Sequence, residues 1–409
     1  MSKRRELDLV LMGATGFTGR LVANYLARHA PGTHRIGLAG RSILRLREVR
    51  EQLGARASTW ELIQVDSSDN DRLRQMASRT RAIGSTAGPF DVIGLPLVHA
   101  CVAEATDYAD ITGETTFIRR SIDLAHVRAT ASGTRIVHAC GFDSVPSDLG
   151  TQFLAQSIGE PLARASLVTG EIIGGFSGGT AASMMAIVDR ASRDPHARAL
   201  LSDPYALSPE RSAEPALGKQ ADFFSPGFDP FTRRTIAPFL MAPINTRVVR
   251  RSNSLQQWTY GKSLRYSEAM GMPDGPAGRL LGFGLLAGIA GMGAALAVPP
   301  LAHLMAKLLP RSGEGPSPDL QKRGRFSLTI HGEAVGSGRR GRVMVTGDGD
   351  PGYSATSRMF GEALLLLSEE DGTGTPTHGG VITPATAFGR DLRERLETNG
   401  FTFTYQDGA

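Results

Sequence analysis

The chain has 409 residues, 41% hydrophobic and 21% charged, which is the balance of a folded protein and more length than one core of common size needs, so two domains are expected. Its 49 glycines and 23 prolines are scattered through periodic segments, which excludes collagenous, low-complexity and solenoid architectures. The formal charge of +5 comes almost wholly from arginine, and no basic run interleaved with aromatics suggests a nucleic-acid partner.

Met1 to Leu7 is charged and short, without the apolar core of a signal peptide. Cys101 and Cys140 are too few for a disulfide framework or a thiolate metal site, so a cytoplasmic protein without a metal centre is expected. From residue 7 to about 158, short apolar runs alternate with longer amphipathic stretches. The strands expected are Leu7–Met12, Arg35–Ala39, Glu61–Val65, Ala82–Thr86, Tyr108–Thr112 and Arg135–Ala139, with helices such as Thr18–His29, Leu44–Gln52 and Leu97–Ala105 between them. That spacing predicts an α/β fold, a Rossmann-type doubly wound parallel sheet over residues 1–150.

After Pro146 the chain becomes rich in Gly and Pro loops (Gly174–Gly179, Ser225–Pro230). Strand-like runs at Thr246–Val249, Gln257–Glu268, Phe326–Glu333 and Arg342–Val345 predict a second, α+β domain over 151–353 with a mainly antiparallel sheet. Ser354–Leu367 and Pro384–Leu396 read as helices, the second with Thr383 as N-cap and Asn399-Gly400 past its end. These last helices, within 354–400, are expected to pack back onto the first domain. Leu280–Ala306 holds no formally charged residue, and its central stretch is about long enough to cross a bilayer core of roughly 30 Å. A buried Gly/Ala-rich segment, a segment lying at a membrane surface or burying a dimer contact, and a true span are the three readings, with Pro299-Pro300 arguing against the last.

The most specific chemical signal is Gly13-Ala14-Thr15-Gly16-Phe17-Thr18-Gly19 between a strand and a helix. A tight turn, close backbone approach to a pyrophosphate and close helix–strand packing each exclude a Cβ, and the helix start offers free N–H groups to phosphates. Arg41 stands after the second strand, where an NAD-specific chain would place an acid against the ribose hydroxyls; its planar cation suits a 2′-phosphate and so favours NADP over a merely solvated arginine. Asp66 ends the third strand, either facing the adenine amino group or capping a helix with Ser67 and Ser68. Gly88 and Pro89, in Thr86-Ala87-Gly88-Pro89-Phe90, are placed to run beside the nicotinamide ribose or to form a plain strand-ending turn.

No tyrosine is followed four residues on by lysine, which excludes the Tyr-x-x-x-Lys proton donor, and neither His-Glu-x-x-His nor Cys-x-x-Cys is present. What remains is a polar cluster at the ends of the fifth and sixth strands: Asp110, Thr112, Glu114, Cys140, Asp143, Ser144 and Asp148. Doubly wound sheets bind ligands in that crevice, although Thr112, Asp143 and Asp148 are equally suited to capping turns and helices.

Taken in order, VLMGATGFTGRLVANYL, GLAGRS, TAGPF followed by GLPLVHACV, YADITGE and CGFDSVPSDLG closely resemble the saccharopine dehydrogenase-like oxidoreductases. SGGTAAS, INTRVVRRSNSLQQWTYG and LRYSE are similar to its branch of trans-acting enoyl reductases of actinobacterial lipid biosynthesis, so the resemblance runs through nearly the whole chain. It implies an NADP-dependent oxidoreductase that reduces a carbon–carbon double bond of a polyketide or fatty-acyl intermediate supplied by a carrier or synthase. By position, Gly13, Thr15, Gly16, Phe17 and Gly19 match the family's phosphate loop and Arg41 its cofactor-selecting site; Met12 stands where the family often has tyrosine. The resemblance assigns no proton donor. Tyr260, Tyr266 and Tyr108 are candidates because a phenol stabilises an enolate and delivers a proton. An acyl chain also gives the apolar segment a use, as a tunnel or a peripheral contact with the inner face of the membrane, and a homodimer through the second domain is expected. Two other readings are a non-catalytic nucleotide-binding protein on lipid surfaces or within a synthase complex, and a saccharopine-type imine or amino-acid dehydrogenase with Arg247, Arg250 and Arg251 holding carboxylates.

Overall fold

The computed structural model describes residues 5–174, 178–220, 222, 225–297, 315, 317–369 and 379–408. Six strands, β1 (Leu7–Met12), β2 (Ile36–Gly40), β3 (Glu61–Gln64), β4 (Thr80–Ser85), β5 (Asp107–Asp110) and β6 (Arg135–Val137), run parallel in the spatial order 3-2-1-4-5-6. The central strands β1 and β2 are apolar on both faces because helices cover both: α1 (Phe17–His29), α2 (Ile43–Gln52), α3 (Asn70–Arg79), the short α4 (Phe90–Ile93), α5 (Leu95–Ala103) and α6 (Thr115–Ser132). The strand order reverses between β1 and β4, which opens the ligand-binding crevice at the carboxyl ends. The last three expected strands stop early. Asp110 ends β5 by turning its carboxylate onto the Thr112 N–H (3.1 Å), and Ala139, at φ +59°, has left the extended region beyond β6.

The second sheet is built from β7 (Leu162–Ile173), β8 (Gly227–Asp229), β9 (Arg234–Ala237), β10 (Arg265–Gly271), β11 (Arg325–Ala334) and β12 (Arg340–Asp348). All its neighbours are antiparallel except β7 with β10. Around it lie α7 (Val145–Ile158), α8 (Gly178–Arg193), α9 (Pro195–Ser202), α10 (Ala242–Leu255) and α11 (Pro276–Ala297). Two expectations are corrected. Thr246–Val249 belongs to α10, not to a strand: its β-branched residues sit in a helix whose inner face buries Ile244, Val248 and Val249. Gln257–Tyr260 forms a turn, with Gln257 and Trp258 both at φ +56°, so only the end of the Gln257–Glu268 run is extended.

The chain end adds one strand to each sheet. β13 (Gly380–Ile382) pairs with β6 as a seventh parallel strand, and β14 (Phe401–Asp407) closes the second sheet beside β12. The helix Thr356–Ser368 lies on the first sheet, so closely that a Cβ on Gly84 would stand 2.5 Å from Leu364. The expected boundary at 150 falls inside α7, where Gly150 brings the helix against Ile330 and Val345 of the second sheet. One hydrophobic cluster therefore runs from Leu9 and Leu11 through Leu149 and Met359 to Ile330 and Val345. Of the apolar segment, α11 carries the first part, and residues 298–306 lie outside the described residues. No helix among the described residues is long and apolar enough to cross a membrane.

Candidate functional site

The glycine loop closes through two backbone bonds, Gly13 N–H to Ala39 (2.9 Å) and Gly16 N–H to Gly13 (3.0 Å). Gly13 sits at φ +84° with Ala87 N and Thr86 Oγ1 each 2.9 Å from where a Cβ would stand, and a Cβ on Gly19 would fall 2.2 Å from the Gly13 carbonyl. Both positions therefore admit only hydrogen. Gly16 is the N-cap of α1 and supplies no side chain, so the N–H groups of the first turn, from Phe17 to Gly19, face the crevice without a capping acceptor. Phe17 is anchored from outside the loop by an edge-on ring contact with Tyr353 at 5.2 Å. Thr15 lies beside the last residue of β2, its Oγ1 3.9 Å from where a Cβ on Gly40 would stand.

Arg41 follows Gly40 directly, and its exposed guanidinium has no hydrogen-bond or ion-pair partner among the described residues; only its carbonyl is engaged, by Gln64 (3.1 Å). Across from it, Asp66 is also exposed but turns on its own loop, accepting from Ser68 Oγ (2.7 Å) and N–H (2.9 Å), and these bonds lower its pKa. Asp69, not Asp66, caps α3. Gly88-Pro89 is a cis peptide, with Pro89 as the N-cap of α4. Thr86 fastens this loop to the glycine loop through its N–H to Met12 O (3.0 Å) and its hydroxyl to Gly13 O (3.2 Å). The pyrophosphate-type cradle, a free cation at the ribose end and a small-residue loop at the other end thus fit a dinucleotide phosphate.

The polar cluster separates into two sets of hydrogen-bonded groups, with Cys140 and Asp143 outside both. Asp110 is fully buried and accepts from Tyr108 OH (3.0 Å), Thr112 N–H, Ala139 N–H and His138 Nδ1 (2.7 Å), whose Nε2 meets Ser121 Oγ at 2.8 Å. Ser121, His138 and Asp110 have the connectivity of a hydrolase relay, but all three are buried against Phe117, which leaves no room for a substrate. Glu114 accepts from Phe90 N–H (3.1 Å), Asp91 N–H (2.7 Å) and Ser183 Oγ (2.6 Å), tying the loop after β4 to α8; burial raises its pKa.

The second network crosses to the other sheet. Ser144 donates to Asn245 (3.0 Å), Asn245 donates to Glu268 (2.9 Å), and Glu268 accepts from Tyr266 OH (2.8 Å). Asp148, one turn further along α7, accepts from Ser252 Oγ (2.5 Å) and Ala385 N–H (2.8 Å). Burial pushes both Asp148 and Glu268 up to about 7. Cys140 is sealed in the core, its thiol pushed well up by burial. Asp143 makes no hydrogen bond to any described residue, and burial alone raises it to about 6.

The three tyrosines are not brought together. Tyr108 lies on β5 of the first sheet and donates to Asp110, Tyr260 lies in the turn after α10 and accepts from Gln256 (2.8 Å), and Tyr266 lies on β10. All three are buried, which holds their phenols protonated well beyond the usual range. Arg247 pairs with Asp222, Arg250 binds the Tyr266 carbonyl (2.8 Å), and Arg251 binds the Leu207 and Val381 carbonyls, so none of the three points a free cation at a carboxylate substrate. The sequence reading missed His138 and Ser121, which lie on separate elements and meet only in the fold. It also missed the Gly-x-Ser-x-Gly spacing at 175–179; Gly178 opens α8, and the three residues before it lie outside the described residues.

Comparison with known proteins identifies the family and the fold. The family described as saccharopine dehydrogenase NADP binding domain matches residues 9–137, which makes NADP the dinucleotide of this crevice. A putative trans-acting enoyl reductase of Mycobacterium tuberculosis is 45% identical over 97% of this chain and 96% of its own. A trans-acting enoyl reductase of Mycobacterium bovis is 41% identical over 97% of each chain. Among solved structures, apo saccharopine dehydrogenase (L-Glu forming) of Saccharomyces cerevisiae superposes with a TM-score of 0.52 at 13% identity, covering 98% of this chain and 99% of that one, which establishes a shared fold.

Proposed function

Because the chain belongs to the family of the mycobacterial trans-acting enoyl reductases, we propose that it reduces a carbon–carbon double bond of a polyketide or fatty-acyl thioester presented by a separate synthase of lipid biosynthesis. The observation that carries this reading is the 45% identity along nearly the full chain, second domain included, joined to an intact phosphate loop. NADPH supplies the hydride when bound. The glycine loop and the first turn of α1 hold its pyrophosphate, Arg41 takes the 2′-phosphate, and Thr86 to Pro89 flank the nicotinamide ribose. Asp66 lies within reach of the adenine end.

The second sheet and α8 close the far side of the crevice, where Ser183 on Glu114 joins the two halves. Helix α11 leaves Leu280, Leu281 and Phe283 exposed at 74%, 58% and 53%, an apolar strip suited to an acyl chain or to peripheral contact with the cytoplasmic face of a membrane. The engaged state of Arg247, Arg250 and Arg251 speaks against an imine substrate carrying several carboxylates. The test is NADPH oxidation with enoyl thioesters of increasing length against saccharopine. Consumption with the thioesters alone supports the reading, consumption with saccharopine alone replaces it, and NADPH binding without consumption of either leaves a non-catalytic binder.

A further inference from the structure

Among the described residues of the polar cluster, Asp143 is the one whose side chain no protein group claims. Asp110, Glu114 and Asp148 each accept several hydrogen bonds, Ser144 donates to Asn245, and Cys140 donates weakly to Val137. Asp143 is nevertheless held in place. Its turn is closed by Ser144 N–H to Gly141 (3.3 Å) and Val145 N–H to Gly141 (3.0 Å), while Cys140 N–H binds Asp110 O (2.8 Å) and Phe142 N–H binds Thr356 Oγ1 (3.0 Å). A fixed backbone with an uncommitted carboxyl is the arrangement of a group reserved for a ligand.

Its position fits that reading. The turn follows β6, and the carboxyl lies against Gly113 in the loop after β5: a Cβ on Gly113 would stand 3.4 Å from Asp143 Oδ2 and 3.9 Å from the Met241 methyl. The next residue, Glu114, grips Phe90 and Asp91, immediately after Gly88 and Pro89. Asp143 therefore shares the carboxyl-end crevice with the loop assigned to the nicotinamide side. Hydride transfer to the β-carbon of an enoyl thioester leaves an enolate whose α-carbon must take a proton, and a positioned acid supplies it.

Resting on the enoyl reductase reading, we propose that the carboxyl of Asp143 is the proton donor of this site. The hydride forms the new β-carbon–hydrogen bond, the π pair of the double bond moves to the α-carbon, and that carbon takes the proton as the Asp143 O–H bond breaks. Water then reprotonates the carboxylate, so one NADPH and one proton are consumed for each double bond. Burial lifts this carboxyl to about 6, and no neighbouring charge contributes. Gly113 lies against it, and the other acids at this end of the first sheet and in the seam to the second, Asp110, Glu114, Asp148 and Glu268, are all committed to other partners. The donor form exists below about pH 6, so turnover falls as pH rises through that value.

The test compares the full chain with Asp143→Asn and Asp143→Glu, using 2-dodecenoyl N-acetylcysteamine thioester and NADPH. For Asp143→Asn, NADPH fluorescence titration is expected to stay within about twofold, while kcat falls at least about a hundredfold, the usual share of a general acid. The fall of kcat with pH is expected to disappear in that variant and to persist, at reduced kcat, in Asp143→Glu. A variant Asp143→Asn that keeps the parent kcat and pH profile overturns the proposal, as does an Asp143→Glu chain no better than the amide. A parent that binds NADPH but reduces no enoyl thioester overturns the function itself, and the proposal with it.

Discussion

Neither Arg41 nor Asp143 has a side-chain partner among the described residues, and the two differ in how far the sequence singles them out. The sequence singles out Arg41 by a local pattern, strand, glycine loop, helix, strand, whose following residue we propose to stand at the ribose edge. On the proposed placement Arg41→Asp sets an anion in place of a cation at the 2′-phosphate and removes a charge-assisted bond of about 1.5–3 kcal/mol, so NADPH affinity should drop at least tenfold while NADH affinity holds or rises. Equal loss for both nucleotides, read by fluorescence titration, would place the 2′-phosphate elsewhere. Asp143 was visible only as one of several acids, because freedom from partners is a property of three-dimensional packing. The same is true of His138, which is joined to Ser121 and Asp110 across 17 and 28 positions of sequence.

At the scale of elements, period-2 and period-3.6 patterns located β1 to β6 and the helices α1, α2 and α5 to within a residue or two, since each strand is a short run with an apolar centre and each crossover is complete in itself; β13, which joins the same sheet from the chain end, was not foreseen. The second half was less legible, and α10 shows why. Its Thr246, Val248 and Val249 favour strand locally, but its three arginines are drawn into the interior, where Arg251 binds the carbonyls of Leu207 and of Val381 on β13. No local pattern announces a helix whose polar residues face inward to hold a strand more than a hundred residues away. Burial lowers Arg251 to about 9, and it has no carboxylate among those partners. Arg251→Met should strand two buried carbonyls and cost about 3 kcal/mol, read as a shift in the urea midpoint; an unchanged midpoint would show that β13 is held by its pairing with β6 alone. Helix α11 bears the opposite feature, an apolar strip left in water. Leu280, Leu281 and Phe283 are each more than half exposed and lie away from the glycine loop in sequence, so on replacing all three by serine NADPH binding should persist while sedimentation with phosphatidylglycerol vesicles falls at least tenfold, given about 1.5 kcal/mol or more for each side chain that enters lipid. Equal sedimentation of both forms would confine the strip to acyl-chain or subunit contact.

The whole molecule is two sheets joined through α7 and α10, and the join is polar at its centre: Asp148 with Ser252 and Ala385, Glu268 with Asn245 and Tyr266. Neither carboxyl faces a cation there, so burial acts largely unopposed and raises both to about 7, against ordinary values of about 3.9 for Asp and 4.3 for Glu in an unfolded chain. Between those limits the folded protein binds more protons than the unfolded one. The stability that protonation contributes is complete below about pH 4, declines as pH rises, and is gone above about pH 7. Exposed acids such as Asp66, Glu171 and Asp407 have lowered values and act in the opposite sense, but only below the ordinary carboxylate range. From pH 5 to pH 8 Asp143, raised to about 6 by burial, acts with the seam, while His126 and His331, whose pKa burial lowers, act against it; the large shifts of the three carboxyls outweigh the two imidazoles, and the melting temperature should fall across that interval. Asp148→Asn keeps an acceptor for Ala385 N–H and cannot ionise, so its melting temperature should vary less steeply with pH than that of the parent and exceed it at pH 8. A parallel decline in both proteins would mean that Asp148 is already charged at pH 5, and that the two sheets meet across a seam wetter than its burial implies.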